Sequence, residues 1–434
     1  MIQDKNRYYH LLKRYVDFMF KSAYRRMEYH GKEKIPQDGA IIYAPNHTNT
    51  LMDPLAVLAL DKQAKVFVAR ADVFKKPVIL KMLTFFKMLP INRIRDGRNS
   101  LAKNEEINGI VVGVLKDKVP FCILPEGTHR TKHSLMPLQK GIFRIALQAN
   151  DTFGNEMPVY IVPVGIEFGH FFRYRSSLLV QMGEPINVTQ FVKNHPEQNV
   201  TQQINELREE LAEKLKEVIL QIPDDANYNA TLELSHLCSK EQQRKLKLKG
   251  NSLINRFITA KETIKDVESS LKSNPQETQI LLDKADDFSR QRHALDIGMS
   301  SVLKSHIGLS LIGKIFFLLL GIPYFIFSIV ATSPVTLFSI WLCSKFKDRA
   351  FYNAVRYLIA LVLLPVFLLL ATIIVGIVFT WIWGLVFALL FIPAFFFLHE
   401  YLRLARLLMS DVKWLTHKDL RNKFKEIKNK IVKL

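Results

Sequence analysis

The chain has 434 residues, of which 60 are Lys or Arg and 40 are Asp or Glu, and its formal net charge is +20. This length exceeds that of one ordinary small domain. The basic balance indicates an anionic partner, such as nucleic acid, a membrane surface or an anionic substrate. Three scattered cysteines, Cys122, Cys238 and Cys343, exclude a disulfide framework and have no metal-ligand spacing. The sequence contains no evident metal site.

Residues 1–30 mix basic and aromatic side chains, without the uninterrupted apolar core or the small-residue cleavage site of a secretory signal. This composition is typical of an amphipathic helix. The helix is either an ordinary surface helix or one that lies in a membrane interface. The apolar C-terminal third of the chain favours the interfacial helix.

Residues 31–225 alternate short apolar runs with helical patterns, which predicts an α/β domain with a mixed central sheet flanked by helices. The predicted strands cover residues 40–44, 66–69, 121–124, 159–164 and 178–181. The predicted helices cover residues 101–115, 141–149 and 201–221. Residues 73–89 combine lysines with large apolar side chains, which is typical of the wall of an apolar groove, an interfacial segment or an ordinary core helix.

The rest of the chain is predicted to be helical. Residues 226–306 are polar, break at Asn274-Pro275, and predict two or more helices that connect the α/β domain to a membrane region. That region covers residues 307–398 and holds two apolar runs, 307–342 and 357–398.

About 20 apolar residues are needed to cross a bilayer, so the second run is long enough for two spans. The first run, interrupted by Pro323 and Pro334, is compatible with one span, two short helices or a re-entrant hairpin. The region therefore forms two hairpins or three spans. The loop between the runs and the tail, residues 399–434, are basic, and basic segments stay on the cytoplasmic side. We expect an integral membrane protein whose α/β domain is cytoplasmic.

The first candidate site is the segment APNHTNTLMDP, residues 44–54, which follows a predicted strand. Asp53 before Pro54 is typical of a helix start, with Asp at the N-cap and Pro at the first helical position. His47 and Asp53 also have the residue types of a general base and its orienting carboxylate. This pair in isolation favours the structural interpretation.

Three further blocks follow in the first half of the chain. Arg93 comes after a short extended segment, and its guanidinium suits a phosphate. The block LPEGTHR, residues 124–130, combines a glycine that permits close approach with donors for an anion. The fourth block, VPVG at residues 162–165, is the end of a strand. Each block alone is equally compatible with an ordinary turn or strand edge.

Together, in this order, the four blocks resemble the glycerol-phosphate and lysophosphatidate acyltransferase family over about residues 30–190. Two features depart from the family's usual pattern. Five residues separate His47 from Asp53 where the family usually has four, which is similar to a eukaryotic-like glycerol-3-phosphate acyltransferase branch. His129 occupies the position after Gly-Thr where the family usually has Arg, and Arg130 follows it.

The resemblance implies the following roles. His47 is the general base and Asp53 orients it. The acceptor's phosphate is held by Arg93, Gly127, Thr128 and Arg130, whereas Glu126 pairs with an arginine or binds an acceptor hydroxyl. The acyl donor is a thioester of coenzyme A or acyl carrier protein, and no cofactor is needed.

The resemblance implies a membrane-bound acyltransferase of phospholipid synthesis, with 1-acyl-sn-glycerol-3-phosphate as acceptor and membrane lipid as a partner. Glycerol-3-phosphate is the alternative acceptor, which the His–Asp spacing favours. A non-catalytic lipid-binding scaffold is a second alternative. The excess positive charge flanks the apolar runs, where anionic lipid explains it, so we expect no nucleic-acid partner.

Overall fold

The computed structural model describes residues 1–92, 98–304 and 306–431, with only the main chain of residues 98–103 and 431. The chain divides into two compact units. The first consists of Met1–Ile219 and Asp348–Tyr357, and the second of Leu220–Lys347 and Leu358–Leu434. The sequence had placed all of residues 348–357 with the membrane region.

The first unit contains an eight-stranded sheet, which confirms the predicted mixed α/β fold. In chain order the strands are β1 (Tyr24–His30), β2 (Ala40–Pro45), β3 (Val66–Arg70), β4 (Met88–Ile91), β5 (Phe121–Cys122), β6 (Val159–Phe168), β7 (Ser176–Met182) and β8 (Ile186–Asn187). They lie in the order β1-β7-β6-β2-β5-β3-β4, and β8 pairs with β6. Strand β6 runs antiparallel to β7 and β8, whereas the other neighbouring strands are parallel.

Helices flank this sheet. They are α1 (Arg7–Ser22), α2 (Met52–Leu58), α3 (Pro77–Phe85), α4 (Arg98–Lys116), α5 (Gly141–Phe153), α6 (Val188–Asn194) and α7 (Val200–Val218). Strand β2 is buried along its whole length, which explains its continuous apolar sequence. The main core includes Leu115 of α4, Ile145 of α5 and Leu211 of α7. Burial of each such side chain contributes roughly 1.5–3 kcal/mol.

The prediction of one helix within residues 1–30 is only partly right. Helix α1 ends at Ser22, and Tyr24–His30 form β1, which pairs with β7. The sequence YRRMEYH lacks the apolar alternation of a strand, because β1 lies at the sheet edge and only its Tyr24 is buried. An edge strand tolerates charged side chains and shows little apolar periodicity.

Residues 73–89 do not form a core helix, because no residue of α3 is buried. Val78 is 78% exposed. The ring of Phe85 at the end of α3 contacts the ring of Tyr9 in α1. Helix α1 also exposes apolar side chains, including those of Leu11 and Phe18. Two neighbouring helices of the first unit therefore present apolar side chains outward.

The second unit begins with the predicted connecting helices. These are α8 (Tyr228–Leu237), α9 (Ser239–Lys245), α10 (Leu253–Ser273), α11 (Pro275–Ala294) and α12 (Met299–Val302). The predicted break at Asn274-Pro275 separates α10 from α11. A buried ion pair joins α8 to α11, in which the Arg292 guanidinium donates to both oxygens of Glu233 at 2.7 Å.

Three long apolar helices follow, α13 (Ile307–Ser344), α14 (Phe351–Val378) and α15 (Trp381–Thr416), and then the basic α16 (Lys418–Ile431). Each of the three is long and apolar enough to cross a membrane, which fits a membrane-associated protein. The first apolar run is one helix with both prolines inside it, rather than two short helices or a hairpin. The predicted boundary at residue 398 lies within α15. Lys314, which interrupts the first run, pairs with Asp411.

We expect Gly165→Ala to destabilise the first unit. A Cβ at this position of β6 would lie 1.9 Å from the Val218 carbonyl oxygen at the end of α7, so backbone must move. Overpacking of this kind costs about 1–3 kcal/mol. Gly113→Ala in α4 is the matched control, because its Cβ would meet no atom within 4 Å. Thermal unfolding of both full-length variants in detergent checks this. Equal melting temperatures of the two variants would contradict this prediction, because they would show that the end of α7 moves without a loss of stability.

Candidate active site

The sheet topology brings the sequence blocks to one edge. Strands β2 and β5 are parallel neighbours, and the carboxyl ends of parallel strands meet at the same edge of a sheet. His47 follows β2 and Glu126 follows β5, so blocks that are 79 residues apart come into contact. Arg93, which follows β4, lies outside the described residues.

Asn46 fixes the point at which the chain leaves β2. Its side chain is buried and pairs with the main chain of Ile166 in β6, donating to the carbonyl at 3.2 Å and accepting from the N–H at 2.7 Å. The side-chain amide thus continues the hydrogen bonding between β2 and β6 for one residue beyond the end of β2. This anchors the residue directly before His47.

His47 and Asp53 form a close pair, with 2.7 Å between Nδ1 and Oδ2. The same Oδ2 accepts from the N–H groups of Thr48 at 2.8 Å and Asn49 at 2.7 Å. Asp53 was predicted at the N-cap, but the N-cap is Leu51 and Asp53 lies in the first turn of α2. The carboxylate is therefore directed back to the loop that carries His47, where a helix N-terminus favours negative charge.

This arrangement determines which nitrogen of His47 is basic. A carboxylate only accepts hydrogen bonds, so Nδ1 must carry a proton and donate it. In the neutral ring the lone pair is then on Nε2, which hydrogen-bonds to none of the residues that the structure describes. Asp53 is fully buried, whereas the His47 side chain is 17% exposed. The pair thus presents a base to solvent on a buried, fixed support.

Glu126 holds the same loop from the other side. Its Oε1 accepts from the His47 N–H at 2.6 Å and its Oε2 from the Met136 N–H at 3.0 Å. Burial raises its pKa to about 7, although the two N–H groups favour the ionised form. Both oxygens are engaged by main-chain donors, which differs from the predicted contact with an arginine or a substrate hydroxyl.

The rest of the Pro-Glu-Gly-Thr block forms the rim. Gly127 has a φ of +69°, in the left-handed region that suits glycine. Thr128 is exposed. The Arg130 N–H donates to the His47 carbonyl at 3.1 Å, and its guanidinium donates to the Ser134 carbonyl at 3.1 Å. The structure thus brings four of the five predicted binding residues beside His47.

Two residues at this site were not among the predicted site residues. The ring of His129 lies edge-on to that of His47, with 5.6 Å between centroids. Its Nε2 is 3.0 Å from Oδ2 of Asp348, a residue 219 positions later. The replacement of an expected arginine by His129 was a visible signal in the sequence. No local pattern could link Asp348 to a loop so distant in the chain.

These loops contain the motifs of an acyltransferase, and a comparison with known families agrees. The model of the Acyltransferase family matches residues 26–167. Residues 26–167 therefore form an acyltransferase domain, and the recognition made from the four sequence blocks is confirmed.

Two curated relatives are similar to part of this chain. A 1-acyl-sn-glycerol-3-phosphate acyltransferase of Cocos nucifera is 29% identical over 150 residues, which are 35% of this chain and 44% of that protein. Glycerol-3-phosphate O-acyltransferase 1 of Saccharomyces cerevisiae is 29% identical over 104 residues, 24% of this chain and 14% of that protein. The chain thus spans less than half the length of either relative.

Among solved structures, the 1-acyl-sn-glycerophosphate acyltransferase PlsC from Thermotoga maritima is similar, with 18% identity and a TM-score of 0.36. The alignment covers 56% of this chain and 81% of that one.

The buried Glu126 predicts a stability that depends on pH. Its folded pKa of about 7 exceeds the ordinary value of 4.5. Between these values the folded protein keeps a proton that the unfolded chain has released, so this contribution to stability is lost as pH rises towards 7. Glu126→Gln cannot titrate. From pH 5 to 7 we expect wild type to lose at least about 1 kcal/mol of unfolding free energy relative to the variant.

Melting temperatures of both proteins at pH 5 and pH 7 check this. Glu184→Gln is the control, because Glu184 is exposed and its pKa is lowered by Lys34 rather than raised. A stability difference that stays constant, or grows in favour of wild type, would contradict the role of burial.

Proposed function

We propose that the chain is a membrane-bound acyltransferase of phospholipid synthesis. It moves a fatty acyl group from a thioester to the free hydroxyl of 1-acyl-sn-glycerol-3-phosphate. The observation that carries the proposal is the His47–Asp53 pair, with 2.7 Å between Nδ1 and Oδ2 and the basic Nε2 on the accessible side. A histidine held in this way suits proton removal from a hydroxyl near neutral pH.

The reaction follows from this geometry. Nε2 of His47 takes the proton of the acceptor hydroxyl as the oxygen attacks the thioester carbonyl carbon. The tetrahedral intermediate collapses, the carbon–sulfur bond breaks, and the thiolate takes the proton from the imidazolium. Asp53 stabilises that imidazolium and keeps its orientation. The acyl group passes directly between substrates, so no covalent acyl-enzyme is needed. Coenzyme A and acyl carrier protein are both suitable thiol carriers.

The acceptor's phosphate is assigned to the rim around His47. Gly127 allows close approach of the main chain, Thr128 supplies an exposed hydroxyl, and Arg130 supplies a guanidinium. Arg93 is assigned to the same phosphate from the sequence resemblance alone. Glu126 acts on the substrate indirectly, because its carboxylate holds the His47 main chain.

Glycerol-3-phosphate is the second candidate acceptor. Two observations favour it: the five residues between His47 and Asp53, and the similarity to the yeast protein named as a glycerol-3-phosphate acyltransferase. A non-catalytic lipid-binding scaffold is the third candidate. The close contacts between His47, Asp53 and Glu126 argue against it, because a decayed site has no need of them.

The domain is proposed to lie on the cytoplasmic face of the membrane, since the loop at residues 345–356 and the tail are basic. The outward apolar side chains of α1 and α3, such as Leu11 and Val78, suit an interfacial position. A lipid acceptor would reach such a site from the bilayer.

We expect His47→Ala to abolish acyl transfer with little change in stability. Loss of a general base typically lowers kcat about 10²–10⁴-fold. The assay uses the full chain in detergent, with each thioester donor and each acceptor in turn. His195→Ala is the control, because this histidine caps α6 in the same unit and should leave transfer unchanged.

The outcomes separate the three candidates. Transfer to one acceptor that is lost in His47→Ala supports the enzyme and identifies its acceptor. Folded wild type that binds lipid but transfers to neither acceptor from either donor would support the scaffold. Transfer that survives His47→Ala at the wild-type rate would refute His47 as the base.

A further inference from the structure

The segment Asp348–Tyr357 belongs to the first unit, although it follows the apolar helix α13 and includes the first turns of the apolar helix α14. Its C-terminal end is firmly packed. Tyr357 is 1% exposed, its hydroxyl donates to the Val16 carbonyl of α1 at 3.0 Å, and its ring contacts that of Phe20. The first turns of α14 are therefore packed as part of the first unit.

The middle of the segment touches the loop that carries His47. The Thr50 hydroxyl donates to the Ala350 carbonyl at 3.4 Å. The side chain of Asn353 donates to the Phe171 carbonyl, which also accepts from the side chain of Asn49 at 2.9 Å. The segment and the His47 loop thus share one acceptor in the turn between β6 and β7.

The N-terminal end of the segment reaches the site itself. Oδ2 of Asp348 lies 3.0 Å from Nε2 of His129, and the ring of His129 packs edge-on between those of His47 and Phe351. The other ring nitrogen of His129, Nδ1, hydrogen-bonds to none of the residues that the structure describes. His129 therefore has one nitrogen held by Asp348 and one for a ligand.

The hydrogen bonds around Asp348 favour its charged form. Its Oδ1 accepts from the Ala350 N–H at 2.9 Å, and this bond, followed by the contact with His129, holds the pKa of Asp348 below its usual range. The Asp348 side chain is 55% exposed. Exposed ion pairs contribute only about 0–1 kcal/mol to stability. The fold therefore gains little from this pair, which makes an effect on His129 the better explanation.

We propose that Asp348 is a positioning residue of the acyltransferase site, which holds His129 as a donor to the acceptor's phosphate. The inference rests on the proposed function. In the doubly protonated ring both nitrogens donate, so that the Nε2–H binds Asp348 and the Nδ1–H faces the phosphate. His129 stands where the resemblance has an arginine, and Asp348 fixes the ring there through Nε2, which leaves Nδ1 for the phosphate.

The test is Asp348→Asn in the full chain. Asn keeps an oxygen for the Ala350 N–H but removes the charge. We expect KM for the phosphate acceptor to rise about tenfold, as for loss of one charge-assisted contact. KM for the thioester, kcat and the melting temperature should stay within about twofold or a few degrees of wild type. Asp72→Asn, which breaks the exposed pair with Arg70, is the matched control and should change none of these.

A second variant tests the route through His129. Arginine is charged without help, so acceptor KM in His129→Arg should be insensitive to the further change Asp348→Asn. Dependence on Asp348 that persists in the arginine background would show that Asp348 does not act through His129.

The outcomes distinguish the two proposals. An unchanged acceptor KM in Asp348→Asn, with wild type active, would overturn this inference and leave the proposed function standing. An equal rise in both KM values together with a lower melting temperature would also overturn it, since that pattern indicates a structural role. No transfer by wild type to either acceptor would overturn both.

Discussion

One oxygen atom organises the site. Oδ2 of Asp53 accepts from Nδ1 of His47 and from the N–H groups of Thr48 and Asn49, all within 2.8 Å. A carboxylate oxygen that receives two main-chain donors and one side-chain donor is fixed in position. The loop after β2 can therefore adopt only the conformation in which His47 presents Nε2 outward. The proposed proton transfer, the orientation of the acceptor and the shape of the rim all depend on this.

Glu126 complements Asp53 from the neighbouring strand. It accepts from the His47 N–H, so the main chain of His47 is held by one buried carboxylate and its ring by another. The two differ in electrostatic environment. Burial dominates at Glu126 and raises its pKa to about 7. Asp53 lies at the start of α2, where the helix N-terminus favours negative charge. The Pro-Glu-Gly-Thr block thus holds the main chain of His47 through Glu126.

The segment Asp348–Tyr357, which lies among the apolar helices in the sequence, contacts the loops around His47. It packs on α1 through Tyr357 and reaches His129 through Asp348. The start of an apolar helix is thereby part of the unit that carries His47.

Periodicity determined most of the fold. Buried strands such as β2 and β6, amphipathic helices such as α7 and the two apolar helices of the second run, α14 and α15, carry their pattern in consecutive residues, so the sequence alone predicted them. The sequence left open whether the first apolar run forms one helix, as α13 does. Their motifs also identified His47, Asp53 and Glu126. Strand β1 was missed because an edge strand buries too little to show a period. Tertiary structure decided three features of the site: the position of Asp53 in the first turn of α2 rather than at its N-cap, the main-chain role of Glu126, and the contact between Asp348 and His129. Each depends on parts of the chain that only packing brings within hydrogen-bond distance, and local sequence carries no record of such distances.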